Sequence, residues 1–288
     1  MRSENLRAHI LFIFRGWKTM ETVTSRKHPA VQSAAALKKS SELRAEKRLF
    51  LAEGARLCED AAKSGVQIAM CFFTEEAEQK YARYLEPVLA CAKEVYRIAP
   101  HIEPLLSDTK RPQGVFCVCA EPEHDAGKIF PDRLLVLENL QDPSNLGNIF
   151  RTAEALGVGD ILLAGACCEV FSPKVVRASM GAAFRLRTTS FSTAEDCVGW
   201  LRERSYISLA AVPGNGEHVT GIDFQKGKTA VWIGNEGNGL SEDALRLCEK
   251  RVTIPMAGRA ESLNASTAAA ILLWEMVRPQ AKGEKNDG

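Results

Sequence analysis

The chain has 288 residues, 45% of them hydrophobic and 25% charged, enough for a sizeable core and, at about 150 residues per domain, for two domains. Its 37 basic and 36 acidic residues leave a net charge of +1, so a surface for a polyanion has to be local. The nine cysteines contain no C-x-x-C pair, and their odd number, with no recognisable secretory signal, points to reduced thiols in a cytoplasmic protein.

Residues 1–19 read as an N-terminal extension outside the fold, with Met20 opening a stretch of ordinary character. The apolar run Ile10–Phe14 falls far short of the ~20 residues of a membrane span or of a usual signal-peptide core, so no membrane association is expected.

Residues 20–120 read as the first domain. From Arg26 to Arg48 the chain carries Arg26, Lys27, Lys38, Lys39, Arg44, Lys47 and Arg48 against only Glu42 and Glu46. Pro29 suits the first turn of a helix reaching about Leu43. This charge is either a solvated helix face or a set of phosphate contacts; its concentration in a near-neutral protein favours the latter. Strands are expected at Leu49–Ala52, Val66–Thr74, Glu94–Ala99 and Val115–Ala120, and helices at Ala55–Lys63, Glu75–Lys93 and near Ile102–Asp108. Lys110 and Arg111 make a basic turn, a second candidate for phosphate contact. Cys117 and Cys119 alternate on one strand and share a face, which reads as small buried hydrophobes and not as a metal site.

Residues 121–131, with prolines, a glycine, mixed charges and no periodicity, read as a linker to a second domain at 132–280, followed by a tail at 281–288. In that domain strands are expected at Leu134–Glu138, Asp160–Ala164, Arg185–Thr189, Tyr206–Val212, Ala230–Gly234 and Arg251–Ile254. Helices are expected at about 145–156, 173–181, 193–204, 241–248 and 265–278. Such alternation means an α/β fold with a mostly parallel sheet covered on both faces, whose ligands bind in the loops beyond the strand ends.

Three of those loops carry polar residues in close spacing: Asn145-x-Gly147 with Arg151, Gly234-x-Glu236-x-x-Gly239-Leu240, and Ile254-Pro255-Met256 leading to Ser262-Leu263-Asn264. On a helix begun at Leu146, the side chains of Leu146, Ile149, Phe150 and Ala153 form the apolar face and Arg151 lies almost opposite. Asn145 sits at the start of that helix and reads as its cap. Glu236 is either a loop brace or an active-site carboxylate. Asn264 caps the alanine-rich helix that follows it, whatever else it does.

In this order, with a strand before each loop, the motifs resemble the SpoU/TrmH family of the SPOUT class, S-adenosylmethionine-dependent RNA ribose 2′-O-methyltransferases. Leu51-Ala52-Glu53-Gly54-Ala55-Arg56 resembles the opening of the L30e-like substrate-binding domain found in many members, and the likeness covers roughly residues 30–280. The resemblance implies a C-terminal trefoil knot, against the general rule that chains avoid knots, and a homodimer formed through the knotted domains. It places Arg151 beside the target hydroxyl, with Asn145 orienting that arginine or the substrate and Glu236, Ser262 and Asn264 as the other catalytic candidates. Gly234, Ile254 and Leu263 fall at the cofactor contacts, glycine at 234 permitting close approach of the cofactor. Lys174 and Arg177 fall in a further segment that implies RNA contact. A guanidinium keeps its proton, so Arg151 is expected to grip a phosphate and not to act as base. Ribosomal RNA is the favoured substrate over transfer RNA; an RNA-binding or ribosome-assembly protein without turnover is the reading from another class, and intact Arg151, Asn145 and Ser-Leu-Asn argue against it.

Overall fold

A computed structural model describes residues 20–123 and 129–278. The expected extension at 1–19, the tail at 281–288 and part of the linker lie outside the described residues. The chain divides into two compact units: the first holds the described residues up to Pro122 together with Phe171–Pro173, and the second holds the rest. Among the described residues no helix is long and apolar enough to cross a membrane.

In the first unit the elements are β1 (Glu21–Val23), α1 (Pro29–Lys39), α2 (Ser41–Lys47), β2 (Leu49–Glu53), α3 (Ala55–Lys63), β3 (Ile68–Phe73), α4 (Glu75–Lys80), α5 (Ala82–Cys91), β4 (Glu94–Ile98), α6 (Glu103–Leu106) and β5 (Val115–Ala120). They build a mixed sheet in the order β1-β4-β3-β5-β2, parallel across β1, β4 and β3 and antiparallel at β5. The expected helix from Pro29 to Leu43 stops at Ser40. That residue is extended; its N–H closes α1 on Ala36, and its hydroxyl accepts the N–H of Leu43 to cap α2. Arg44 then turns inward. It is buried, and its guanidinium donates to the carbonyls of Leu37 (2.5 Å) and Lys38 (3.2 Å), which the end of α1 leaves unpaired. One charge of the basic run is thereby spent inside the fold. The expected helix over Glu75–Lys93 is likewise divided, at Tyr81.

The second unit comprises β6 (Arg133–Glu138), α7 (Pro143–Ala155), β7 (Asp160–Ala164), α8 (Pro173–Ala178, whose first residue is grouped with the first unit), β8 (Arg187–Phe191), α9 (Ala194–Glu203), β9 (Tyr206–Ala211), β10 (Glu217–His218), β11 (Lys228–Ile233), α10 (Glu242–Leu247), β12 (Lys250–Thr253) and α11 (Ala265–Val277). Its sheet is parallel throughout, in the order β10-β12-β9-β11-β6-β7-β8. Near-continuous apolar strands such as Leu134–Leu137 and Ala230–Ile233 are buried on both sides, as an all-parallel sheet requires. One face carries Leu134, Val136, Leu162 and Trp232 against Cys197, Val198 and Leu201 of α9 and Ala244 of α10. Elsewhere in this unit α7 and α11 pack on one another. Gly147 lets α7 sit tightly on the end of α8: a Cβ there would run into Ala178 and the backbone of Ser179. The chain runs β6, β7, β8 in one direction along the sheet and resumes at β9 on the other side of β6, with β11 between β9 and β6. That reversal is where ligands bind in open α/β sheets.

Candidate active site

The connections that follow β6, β11 and β12 converge in the second unit. Helix α7 begins earlier than its apolar pattern indicates: Pro143 is its first residue, and Asp142 caps it by accepting the N–H groups of Ser144 (2.6 Å) and Asn145 (3.4 Å). This corrects the reading of Asn145 as the cap. With that task taken by Asp142, the Asn145 side chain is buried and spent on two other loops. Its Nδ2 donates to Glu236 Oε1 (3.1 Å), and its Oδ1 accepts from Asn264 Nδ2 (3.1 Å). One hydrogen-bonded chain, Glu236–Asn145–Asn264, thus joins the three motifs.

Glu236 also braces the connection after β6, accepting the N–H groups of Asp142 (2.9 Å) and Gln141 (3.3 Å). Partial burial pushes its carboxyl up, but hydrogen bonds from its own backbone, from Asn145 and from the N–H groups of Asp142 and Gln141 outweigh that and hold it below its ordinary value. Asn264 performs its capping role as well, its Oδ1 accepting the N–H groups of Ser266 (2.9 Å) and Thr267 (3.3 Å) at the start of α11.

Arg151 projects from the exposed side of α7, two turns beyond Asn145, and among the described residues it has no hydrogen bond or ion pair. An exposed arginine with no partner is available to an anion. A cavity of about 340 Å³, within the usual range for small-molecule sites, opens in the same unit: its wall includes the Gly234–Leu240 loop, Ile254, Met256, Ser262, Leu263 and the face of α11 at Ala265, Ala268 and Leu272. Gly234, Ile254, Leu263, Glu236 and Ser262 are all in that wall, whereas Arg151, Asn145 and Asn264 are not. Apolar side chains on one flank and loop backbone on the other fit a nucleoside bearing a polar tail. Glycine at 234 has a further reason within the chain: a Cβ there would strike the backbone of Gly239 and Leu240, so the loop's own closure also demands it. Sequence reading passed over Asn235, whose side chain accepts the N–H groups of Gly237 (2.9 Å) and Asn238 (3.1 Å) and shapes the loop. An asparagine between glycines is the signal that could have marked it.

The candidate RNA contacts divide by partner. In the first unit Arg26 is bound to the carbonyl of His101, Lys38 to that of Ser107 (2.8 Å), Lys47 to Glu46 (2.8 Å) and Arg48 to Glu121 (3.6 Å). Lys27, Lys39, Lys110 and Arg111 are exposed, and their side chains have no hydrogen bond or ion pair among the described residues. Glu53, at the end of β2, accepts from the Ser107 and Thr109 hydroxyls and the Asp108 N–H. Because Lys38 reaches the same Ser107, the end of α1 and the turn bearing Lys110 and Arg111 lie together, though far apart in sequence. In the second unit Lys174 is exposed on α8 and Arg177 half-buried.

Residues 132–274 match the SpoU rRNA Methylase family, and residues 28–117 the MRM3-like substrate binding domain. The chain is similar to a 23S rRNA (uridine(2479)-2′-O)-methyltransferase of Streptomyces viridochromogenes, 34% identical over 81% of this chain and 84% of that one. It is also similar to a 23S rRNA (guanosine(2553)-2′-O)-methyltransferase of Bacillus subtilis, 28% identical over 89% of this chain and 99% of the relative. The crystal structure of an AdoMet-bound rRNA methyltransferase from Sinorhizobium meliloti superimposes with a TM-score of 0.79 at 29% identity, covering 89% of this chain and 97% of that one. With both domains matched and all three motifs in place, the chain belongs to the SpoU rRNA methylase family.

Proposed function

We propose that the protein uses S-adenosylmethionine to methylate a ribose 2′-hydroxyl in the RNA of the large ribosomal subunit. The observation that carries this reading is the Glu236–Asn145–Asn264 chain, which ties the cavity-forming loop to the helix bearing Arg151. Bound in the cavity, S-adenosylmethionine supplies an electrophilic methyl group. The protein's own share is position and electrostatics. Gly234, Ile254 and Leu263 receive the cofactor largely through backbone. Arg151 grips the phosphate next to the target ribose and stabilises the alkoxide as it forms, while the proton leaves to a phosphate oxygen or water. Asn145 and Glu236 hold the start of α7, and so the direction of Arg151. Ser262, exposed at the cavity wall, is placed to bond RNA or cofactor.

Residues 20–120 form the RNA-substrate module in this reading, with Lys27, Lys39, Lys110 and Arg111 as its principal phosphate contacts and Arg26, Lys38, Lys47 and Arg48 contributing through partnered side chains. Residues 132–280 form the methyltransferase domain, where Lys174 and Arg177 add contacts. The trefoil knot of the family belongs to the same reading, since the segment from β12 to α11 shares its cavity with the Gly234–Leu240 loop. So does a homodimer, supported by Trp274, which is 53% exposed on α11. Nine free thiols fit a cytoplasmic setting. The two relatives act on a uridine and a guanosine, two different bases. Incubation with labelled S-adenosylmethionine and separated ribosomal and transfer RNA tests the reading: label in alkali-resistant linkages of 23S RNA is expected, and label confined to transfer RNA or to bases overturns it.

A further inference from the structure

The Gly234–Leu240 loop is fastened at both ends to the end of β6. At its start, Asn235 Nδ2 donates to the carbonyl of Asn139 at 2.9 Å. At its end, Ser241 donates twice into one carboxylate: its N–H reaches Glu138 Oε2 at 2.9 Å and its hydroxyl reaches Oε1 at 2.6 Å. Glu138 is 2% exposed, and neither it nor Ser241 lines the cavity. The match is complete on both sides. An ionised carboxylate only accepts, so each of its oxygens takes one donor. The hydroxyl gives its single proton to Glu138, which leaves a lone pair to accept the N–H of Ala244 (3.1 Å) and cap α10. Strand β6 lies inside the sheet, hydrogen-bonded on both sides by β11 and β7, so the anchor is part of the sheet.

We propose that Glu138 is a positioning residue for cofactor binding: through Ser241 it holds the Gly234–Leu240 loop in the shape that receives S-adenosylmethionine. This rests on the assignment of the cavity as the cofactor site. A loop containing Gly237 and Gly239, the latter at φ +70°, has many conformations to lose when a ligand orders it. Fastening both ends beforehand removes that cost from the binding step. Glu138 therefore acts on cofactor affinity and not on the transfer itself.

Calorimetric titration with S-adenosylmethionine tests this on the full chain. Glu138→Gln keeps the volume but offers one strong acceptor in place of two, and is expected to raise the cofactor Kd on the order of tenfold, the worth of one charge-assisted hydrogen bond. At saturating cofactor, kcat and the KM for RNA are expected to stay within about twofold of wild type. Ser241→Ala should weaken cofactor binding similarly, and the double variant should be little worse than either single one, since both remove the same contact. Wild-type cofactor affinity in Glu138→Gln, or a fall in kcat with an unchanged cofactor KM, overturns the proposal. Should Glu138→Gln not fold, wild-type affinity in Ser241→Ala does so alone. Leu263→Trp separates this from the cavity assignment: if it still binds the cofactor normally, the assignment fails. If it loses binding while Glu138→Gln does not, only the positioning role fails.

Discussion

Asn145 and Arg151 sit on one helix yet have opposite circumstances, and the proposed tasks follow that difference. Asn145 has its amide engaged on both sides, by Glu236 and Asn264, so it has little left to offer a substrate. Arg151 is exposed and unengaged among the described residues. Arg151→Ala is therefore expected to reduce methyl transfer by at least about a hundredfold, the usual loss on removing a group that stabilises developing negative charge. Cofactor affinity, read by calorimetry, should stay within a few-fold; turnover at the wild-type rate would refute the assignment. Glu236 provides a second test through pH. Its carboxyl is held below its ordinary value of 4.5, so the ionised form is favoured by the fold. Such a group adds stability above its unfolded pKa, and that contribution is lost as pH falls through the lower folded value. Urea unfolding at stepped pH should show wild type ahead of Glu236→Gln at neutral pH, with the gap closing as pH falls below 4.5. Parallel curves for the two proteins would mean that the carboxylate's bonds do not favour its ionised form.

At the scale of elements, ends decide more than middles. Ser40 stops one helix and starts another, Asp142 moves the start of α7 ahead of its apolar pattern, and Asn264 starts α11 while joining the site. The first helices also determine which cations remain for RNA. Arg44 is consumed by the carbonyls at the end of α1, and Lys38 by Ser107, while Lys39 stays exposed near the turn of Lys110 and Arg111. Neutralising Lys39, Lys110 and Arg111 together is expected to flatten the plot of log affinity against log salt by about 2, each lost phosphate contact contributing roughly 0.7–0.9. Neutralising Lys47 and Arg48, which already face Glu46 and Glu121, should change the slope less. Equal slopes in all three proteins would make these residues a solvated face and nothing more.

For the whole molecule, α11 is the element that bears on assembly. Its Ala265, Ala269, Leu272, Leu273 and Met276 are buried within the second unit, but Trp274 is not. An exposed indole on a mostly apolar helix fits a twofold partner using the same patch. Light scattering at micromolar concentration is expected to give twice the 31.6 kDa of one chain, and Trp274→Glu to shift it towards a single chain. A fully active wild-type species of 31.6 kDa would sink the dimer.

Much of this protein was settled by local sequence. Strands such as Val115–Ala120 and Asp160–Ala164 and the helix Ala55–Lys63 occupy the residues that apolar runs, glycines and caps mark out, because these signals act within a few residues of the backbone they shape. The motif residues were legible for the same reason: each loop follows a readable strand. Short pieces without an apolar rhythm, β1 and β10, were not legible, since only their parallel partners β4 and β12 make them strands. Nor were the contacts of Asn145, Glu138 and Gly234. Asn145 meets Asn264 across 119 residues, and Glu138 meets Ser241 across 103. Gly234 is confined by the return of its own loop. Such contacts depend on which strands lie side by side, and strand order is decided by the packing of the whole sheet.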